Sequence, residues 1–377
     1  MHKPTSRTRL LSLLNLPKSM TCTSSNGAAQ AQLSPTLFLT DEDVSHLTEW
    51  QASVNALRAA YAQPDDPARL PPRTMARGKG VWLRSLTAVA PSGDFMGSKL
   101  IAASPRAGYA SYLISLFDTN TMALAALIDG NQVTGIRTAA TSAVAIDVLA
   151  PTRGLRVTLI GSGFEAQGQL EALAATRQIE SATVYSPSLT SRARFVEKFA
   201  LLLPSVKVSA ASSAERAVRD ADVVICAARS HDESPVLRGE WLRPGMTVVS
   251  IGSTLPEQRE VDSEVIRRAD LIVADMPEEV AHDTGDMLVA TREGVIFEDK
   301  LVSLSSVVCK EGSFRRDGSS ILLFKSVGSA LQDVVIAEML LLRARTQLVG
   351  TTLPVGIVPV AKWKAPTPQE PVAASTA

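Results

Sequence analysis

The first third of the chain contains short apolar segments separated by glycine, proline and polar residues. The segment 41–62 has apolar residues at helical spacing, with Thr40 as a candidate N-cap and acids in its first turn, so it predicts one helix. The later segments have the length and composition of strands in a small antiparallel sheet. These predicted strands are 81–86, 99–103, 112–117 and 123–129.

From about residue 138 to residue 275 the pattern changes, and apolar strand-like segments alternate with helical segments. This alternation predicts a doubly wound parallel sheet, because parallel strands are joined by helical crossovers. A strand-like segment at 321–324 and a last helix at 325–345 are expected to return to the first domain. The strands predicted for the parallel sheet are 157–160, 183–186, 207–209, 223–227, 247–251 and 271–273.

The predicted fold class is therefore α/β, with a Rossmann domain at 138–321. A smaller α+β domain is assigned residues 37–137 together with 322–347. Residues 1–36 contain four Lys or Arg residues and no acid, which predicts a disordered or targeting-like extension, although a mis-assigned start upstream of Met20 is an equal alternative. The proline-rich and alanine-rich residues 350–377 predict a disordered tail.

The most specific local motif is a glycine turn between strand 157–160 and the following helix. Gly161 would permit the tight turn, Gly163 would let a pyrophosphate approach the backbone, and the small Ala166 would allow close packing of helix and strand. Free N–H groups at the helix start would then face the phosphates. The residues predicted to contact a dinucleotide here are Gly161, Ser162, Gly163, Phe164, Glu165 and Ala166.

The end of the second strand of the Rossmann domain carries no acid that could accept hydrogen bonds from a ribose hydroxyl, the usual mark of NAD selection. It offers Ser186, Ser188 and Arg192 instead, and hydroxyl and guanidinium groups suit a 2′-phosphate. These residues favour NADP(H), with NAD(H) as the alternative. A polar loop with a merely solvated Arg192 would explain the same residues.

Composition excludes several other classes of protein. The 377 residues are 45% hydrophobic and 20% charged, and 38 Lys and Arg residues balance 38 Asp and Glu residues. With 5% aromatic residues, the chain has neither the basic excess nor the aromatic platform of a nucleic-acid-binding protein. We predict no membrane partner, because no apolar run is long enough to span a bilayer. The three cysteines and four histidines show no disulfide or metal spacing, which predicts a cytoplasmic protein without a metal site.

Several motifs in order resemble the ornithine cyclodeaminase/mu-crystallin family. They are RTAATSA at 137–143, the glycine turn, ADVV at 221–224, GEWLRPG at 239–245 and LFKSVG at 323–328. The resemblance extends over roughly residues 37–345. It implies a homodimer built through the sheet of the first domain, and it leaves the reaction open, since the family includes cyclodeaminases, alanine dehydrogenases and imino-acid reductases.

The resemblance also implies roles for individual residues. Arg73 matches the arginine that holds the substrate carboxylate, and Lys99 matches the lysine that contacts the same region and assists proton transfer. Arg137, expected at the start of a helix over 138–149, matches the arginine that meets the cofactor pyrophosphate. Ser326 and Val327 match positions that line the nicotinamide and substrate pocket.

Two positions depart from the family pattern. Cyclodeaminases carry a catalytic aspartate in the loop after the fifth strand of the parallel sheet, where this chain has Thr254. Because an alcohol is a poor general base near neutral pH, Thr254 is expected to orient the substrate rather than to move protons, unless Glu257 substitutes for the aspartate. Glu165 stands where many relatives have glutamine, so its carboxylate must point away from the pyrophosphate or be offset by Arg137.

These residues favour an NAD(P)H-dependent oxidoreductase that reduces the C=N bond of a cyclic imino acid, or interconverts an amino acid with its imino or keto acid. The substrate would carry a free carboxylate bound by Arg73 and Lys99. One alternative is an ornithine or lysine cyclodeaminase with bound NAD. The second is a crystallin-like protein that binds NADPH and a ligand without relevant turnover.

Overall fold

The computed structural model describes residues 34–309, 317–354 and 356–360. Within these residues the chain forms two β-sheets with helices between and around them. The strands are β1 (Leu37–Leu39), β2 (Thr74–Gly78), β3 (Val81–Val89), β4 (Phe95–Ser104), β5 (Tyr109–Asp118), β6 (Leu124–Asp129), β7 (Leu155–Ile160), β8 (Ile179–Tyr185), β9 (Lys207–Ala210), β10 (Val223–Cys226), β11 (Thr247–Ser250), β12 (Leu271–Ala274), β13 (Leu301–Ser303), β14 (Leu322–Lys325) and β15 (Thr351–Thr352).

The helices fill the connections between these strands. Short 3₁₀ helices cover Gly239–Trp241 and Glu298–Lys300. The α-helices are α1 (Asp41–Leu47), α2 (Trp50–Tyr61), α3 (Gly130–Leu149), α4 (Phe164–Thr176), α5 (Leu189–Leu202), α6 (Ala214–Val218), α7 (Ser263–Arg268), α8 (Pro277–Asp283), α9 (Gly285–Arg292), α10 (Leu304–Val308) and α11 (Ala330–Gln347).

The first sheet has the strand order β15-β1-β6-β5-β4-β3-β2. Strands β2 to β6 form an antiparallel meander, which confirms the predicted antiparallel sheet, while β1 pairs with β6 in parallel. The sequence pattern missed β1 and β2. In β2 the side chains are mostly exposed, so this edge strand lacks the apolar alternation that would have revealed it.

The second sheet confirms the predicted doubly wound fold. Its order is β13-β12-β14-β11-β10-β7-β8-β9, and every neighbouring pair is parallel. The central strands β10 and β11 are buried at every residue, as expected for a parallel sheet covered on both faces. The carboxyl ends of these strands form one edge of the sheet, where ligands bind in doubly wound folds.

The single helix predicted for 41–62 is in fact two helices. Thr40 caps α1 in a capping box with Asp43, which confirms the predicted N-cap. The first helix ends because Thr48 has an extended backbone, and Glu49 then caps α2 by accepting hydrogen bonds from two backbone N–H groups. A glutamate that caps a helix cannot be told from a helix-interior residue by spacing alone.

Helix α3 begins earlier than predicted. The sequence suggested a start at residue 138, whereas Asp129 caps a helix that runs from Gly130 to Leu149 and is buried around most of its surface. Arg137 therefore lies in the third turn and not at the helix start. Since α3 packs against both α2 and α4, it lies between the helices of the two sheets.

Strand β14 corrects the predicted domain assignment. Residues 322–347 were assigned to the smaller domain, yet β14 lies between β11 and β12 in the parallel sheet. Only α11 returns to the first sheet, where it packs against β3, β4 and β5 as expected for the last helix. The chain thus crosses from one sheet to the other at residues 326–329, so the LFKSVG motif begins in β14 and ends in this crossing.

The predicted terminal segments lie mostly outside the described residues. Where residues 350–377 are described, β15 pairs with β1 and the N–H of Leu353 donates to the carbonyl of Thr36, so the disordered-tail prediction is wrong for residues 351–353. The predicted extension 1–36 is described only from residue 34. Among the helices of the described ranges, none is both long and apolar enough to cross a membrane.

Candidate active site

The glycine turn after β7 has a shape that accommodates a dinucleotide. Gly161 has a φ of +118°, and a Cβ atom there would lie 2.7 Å from the carbonyl oxygen of Ala227, so only glycine fits. A Cβ on Gly163 would meet nothing within 4 Å, which leaves open space at the start of α4. No side chain caps this helix start, so its first N–H groups are free to bind an anion. These residues fit a pyrophosphate.

At the end of β8, the residues predicted to meet the adenosine ribose mostly contact one another. Ser162 donates to Ser186 Oγ at 3.0 Å, and Ser188 accepts from a backbone N–H at the start of α5. Arg192 is buried, donates to the carbonyl of Ala211 and lies 5.3 Å from the centre of the Tyr185 ring. Its guanidinium is thus engaged within the protein and not merely solvated, and its role toward a 2′-phosphate stays a prediction.

A cavity of about 490 Å³ lies between the first sheet, α3, the start of α4 and the loops after β10, β11 and β14. Ala227 and Ala228, which pack behind Gly161, line it, so the glycine turn borders this cavity. Of the predicted cofactor residues, Arg137, Glu165 and Ser326 line the cavity, and the others lie outside its lining. The predicted site residues that the cavity brings together are Arg73, Lys99, Arg137, Glu165, Thr254, Ser326 and Val327.

Lys99 is a buried cation on β4 that faces the cavity. Its Nζ donates to Thr134 Oγ1 at 2.7 Å and to Asp333 Oδ1 at 2.9 Å, and it lies 5.4 Å from the centre of the Tyr112 ring. Burial lowers the pKa of Lys99 to about 8, and the Asp333 carboxylate opposes part of this decrease. Near neutral pH the ammonium group is thus protonated but can release a proton readily.

Arg73 immediately precedes β2 and forms an ion pair with Glu279 of α8. The same glutamate accepts a hydrogen bond from the backbone N–H of Arg73 at 3.3 Å. Both side chains are about 10% exposed, and the Arg73 Nε is buried without a hydrogen-bond partner. The guanidinium is therefore fixed in the cavity wall with donor capacity left for a substrate oxygen.

Arg137 projects from the third turn of α3 toward the crossing between the sheets. Its Nη1 donates to Gln332 Oε1 at 2.9 Å, and its Nε lies 3.5 Å from Asp333 Oδ1. Gly328 has a φ of +78°, and a Cβ there would lie 2.8 Å from the Arg137 Cζ. The glycine of the LFKSVG motif thus makes room for this guanidinium.

Glu165 lines the cavity near Arg137, and its arrangement toward a bound pyrophosphate stays a prediction. Its pKa is raised by burial, while the positive charges of Arg137 and Lys99 oppose the increase. Its Oε2 is buried without a hydrogen-bond partner. A carboxylate therefore stands beside the open space at the start of α4, next to the arginine predicted to hold a pyrophosphate.

Thr254 lines the cavity at the position of the family aspartate. Its backbone N–H donates to Gln258 Oε1 at 2.9 Å, and its hydroxyl donates to the same oxygen at 3.3 Å. Glu257, the candidate substitute acid, is exposed and lies outside the cavity lining. This loop therefore places no carboxylate in the cavity.

The sequence reasoning missed Asp275, which lies directly after β12 at the carboxyl edge of the parallel sheet. Its carboxylate accepts from the Ser326 hydroxyl at 2.6 Å, from the N–H groups of Val327 and Gly328 at 3.0 and 2.8 Å, and from Gln332 Nε2 at 2.8 Å. This acid fixes the crossing segment that lines the cavity. Its position after a buried strand was the available signal.

Glu260 is a second missed residue, and it ties together two loops of the cavity wall. Its carboxylate accepts from the Ser250 hydroxyl at 2.6 Å and from the N–H groups of Gly252 and Ala228 at 2.9 and 3.2 Å. Burial raises the pKa of Glu260 to about 7, and the nearby Lys325 ammonium opposes this increase. The loops after β10 and β11 thus share one buried carboxyl group.

The comparisons with known proteins identify the family of this chain. The family model for the ornithine cyclodeaminase/mu-crystallin family matches residues 35–347. Ketimine reductase mu-crystallin of Mus musculus is 30% identical over 315 residues, which are 80% of this chain and 95% of that protein. A Delta(1)-pyrroline-2-carboxylate reductase of Bacillus cereus is 29% identical over 298 residues, 78% of this chain and 86% of that protein.

A solved structure extends the similarity to the whole fold. Thermococcus litoralis Delta(1)-pyrroline-2-carboxylate reductase, in complex with NADH and L-proline, has a TM-score of 0.76 at 28% identity, covering 84% of this chain and 100% of that chain. The resemblance indicated by the sequence motifs is thus confirmed by a match across both sheets. The chain belongs to the ornithine cyclodeaminase/mu-crystallin family.

Proposed function

We propose that this protein is an NAD(P)H-dependent reductase of imino acids. The observation that carries the proposal is the convergence of Arg73 and the buried Lys99 on one cavity that borders an uncapped glycine turn. Two relatives are described as a ketimine reductase and a pyrroline-2-carboxylate reductase, and a third was solved with NADH and proline. A cyclic imino acid with a free carboxylate fits this combination of groups.

The residues have separate tasks in the proposed reaction. The glycine turn and Arg137 would hold the cofactor, which supplies a hydride when bound. Arg73 and Lys99 would bind the substrate carboxylate, since a guanidinium fork and an ammonium both pair with it. Lys99 would also hold the proton for the substrate nitrogen at Nζ, because its pKa of about 8 is close to neutral pH. Thr254 would orient the substrate through its hydroxyl.

The loop after β11 argues against the cyclodeaminase alternative. Cyclisation needs a base that removes and returns protons at the substrate amino group, and Thr254 offers only a hydroxyl held by Gln258. The carboxylates that do line the cavity are Glu165 and Asp333, and each lies beside cations. Reduction of an existing C=N bond needs only orientation, a proton and a hydride.

We further propose a preference for NADP(H) over NAD(H). The support is the absence of an acid at the end of β8, where Ser186 and Ser188 offer hydroxyl groups instead. Arg192 supports it less than the sequence suggested, because its guanidinium already contacts Ala211 and Tyr185. Titration with both nucleotides, followed by protein fluorescence, will measure the preference as a ratio of dissociation constants.

A homodimer through the first sheet is also a proposal. The face of this sheet that points away from the cavity carries exposed apolar side chains, including Leu83 at 46% and Tyr109 at 79% exposure. An apolar sheet face of this kind suits a self-complementary interface. Sedimentation of the wild type and of a Leu83→Glu variant will test this, since the charge should dissociate a dimer formed here.

The proposed activity is tested by mixing the purified protein with NADPH or NADH and pyrroline-2-carboxylate. We expect consumption of the nucleotide and formation of proline, and we expect no ammonia from ornithine. Arg73→Gln should reduce kcat/KM on the order of a hundred-fold, since it removes a charged contact to the carboxylate. Ammonia release from ornithine without added nucleotide would instead establish the cyclodeaminase. Nucleotide binding without either reaction would establish the crystallin-like alternative.

A further inference from the structure

Arg84 is a cation of the cavity wall that neither the family motifs nor the proposed reaction uses. It lies on β3, where alternate side chains face the cavity, and Trp82 and Leu86 on either side of it also line the cavity. The residue is only 8% exposed. A guanidinium of the first sheet is thus buried in the wall of this cavity.

This guanidinium lacks a carboxylate partner within the described residues. Arg84 forms no ion pair with any acid of these residues, and its Nε is buried without a hydrogen bond. It lies 5.3 Å from the centre of the Trp82 ring, which supports its flat face but satisfies none of its N–H groups. The negative charge of Glu279 raises the pKa of Arg84, but the Glu279 carboxylate is already paired with Arg73.

Burial of an unpaired charge is unfavourable, and the pKa of Arg84 reflects this. Burial lowers it to about 10, and the positive charge of Arg73 lowers it further. Because the guanidinium remains charged at neutral pH, its buried donors favour binding of an anion. Arg73, Arg84 and Glu279 together leave one positive charge in this part of the wall.

The strand register of the first sheet fixes the position of Arg84 relative to Lys99. Arg84 lies opposite Ile101, and Leu86 lies opposite Lys99, so the two cations are diagonal neighbours on one sheet face. Diagonal neighbours are about 7–8 Å apart at their backbones. The apolar residues Leu86 and Ile101 complete this group of four neighbouring residues on the same sheet face. The cavity therefore has two positive positions with an apolar surface between them.

We propose that Arg84 binds a second carboxylate, and hence that the substrate is a dicarboxylic imino acid. This inference rests on the proposed function. The carboxylate next to the C=N bond would contact Lys99 and Arg73, and the distal carboxylate would pair bidentately with Arg84. The apolar surface between the cations would contact the carbon skeleton.

Two cyclic imines that differ only in the distal carboxylate test this proposal. They are piperideine-2-carboxylate and piperideine-2,6-dicarboxylate, compared by kcat/KM with NADPH. For the wild type we expect the dicarboxylate to be preferred by roughly ten-fold or more. Arg84→Gln should lower kcat/KM roughly ten- to one-hundred-fold for the dicarboxylate and less than about three-fold for the monocarboxylate. Arg77→Gln, an exposed arginine on the neighbouring strand, is the matched control and should change neither value.

Calorimetry supplies a measurement that does not depend on turnover. The saturated product piperidine-2,6-dicarboxylate should bind the wild type more tightly than pipecolate does, and Arg84→Gln should abolish this difference. If Arg84→Gln does not fold, Arg84→Lys retains the charge without the bidentate fork and should lose only part of the preference.

The two hypotheses fail in different ways. Reduction of the monocarboxylate at least as efficiently as the dicarboxylate, or an unchanged preference in Arg84→Gln, overturns the role of Arg84 and leaves the reductase intact. Reduction of neither imine overturns the reductase, and the calorimetric comparison of the two products then decides whether Arg84 binds a second carboxylate.

Discussion

The buried carboxyl group of Glu260 gives a prediction that can be calculated from the structure. Glu260 joins the loops after β10 and β11, and its surroundings contain Lys325 and a second acid, Asp286, which lies 3.0 Å from the Lys325 Nζ. All three residues are fully buried. Two acids therefore share one ammonium group, and the proton on Glu260 relieves the excess of negative charge.

The size of the effect follows from the pKa. Glu260 has a pKa of about 7 in the folded protein, against an ordinary value of 4.5. Because the folded pKa is higher, the stabilising contribution is fully present below the unfolded pKa and is lost as the pH rises through the folded pKa. At about 1.4 kcal/mol per pH unit, the full loss is about 3 kcal/mol, of which roughly 2 to 3 kcal/mol falls between about pH 5 and about pH 8.

The assay is urea unfolding of the wild type and of Glu260→Gln across this range of pH. An amide does not ionise, so the variant should lack this loss of unfolding free energy, and the difference between the two proteins isolates the contribution of Glu260. Glu257→Gln is the control, because Glu257 is exposed in the same loop and should follow the wild type. Equal pH dependence in the wild type and in Glu260→Gln would refute the assignment of a raised pKa to this group.

Three further predictions concern the cofactor and the proton. Lys99→Met should lower kcat/KM on the order of a hundred-fold or more. In the wild type, kcat should fall above about pH 8, because Lys99 loses its proton there. A kcat that does not change across this pH range would contradict the role of Lys99 as proton donor. Glu165→Gln should lower the dissociation constant for NADPH by roughly ten-fold, because it removes a negative charge beside the phosphates, and fluorescence titration showing weaker binding would contradict this. Gly161→Ala should abolish nucleotide binding in calorimetry, because the Cβ of the alanine would lie 2.7 Å from the carbonyl oxygen of Ala227. Retained affinity would mean that the nucleotide binds elsewhere.

The periodicity of apolar residues was sufficient for six of the eight strands of the parallel sheet, because buried strands are continuous apolar segments with helices between them. It was insufficient where a few residues decide the geometry. The break at Glu49 and the start of α3 at Gly130 depend on caps that resemble helix-interior residues in the sequence. The position of β14 between β11 and β12 depends on long-range pairing, which local pattern does not encode.

The site was predictable where a residue belongs to a local motif. The family resemblance identified Arg73, Lys99 and Arg137, and the structure places all three around one cavity. Arg84 and Asp333 were missed, because strand register and helix packing bring them to the cavity from distant parts of the sequence. A single charged residue within a strand is usually expected to be solvent-exposed, whereas Arg84 is buried in the folded protein.

The most direct test of the proposed chemistry follows the hydrogen that the nicotinamide transfers. The protein is mixed with pyrroline-2-carboxylate and NADPH that carries two deuterium atoms at the reactive ring carbon, so that either hydrogen delivers the label, and the proline formed is analysed by mass spectrometry and NMR. We predict one deuterium atom per molecule, located on Cα. Proline without deuterium, or deuterium released to the solvent, would contradict direct hydride transfer to the C=N carbon in this site.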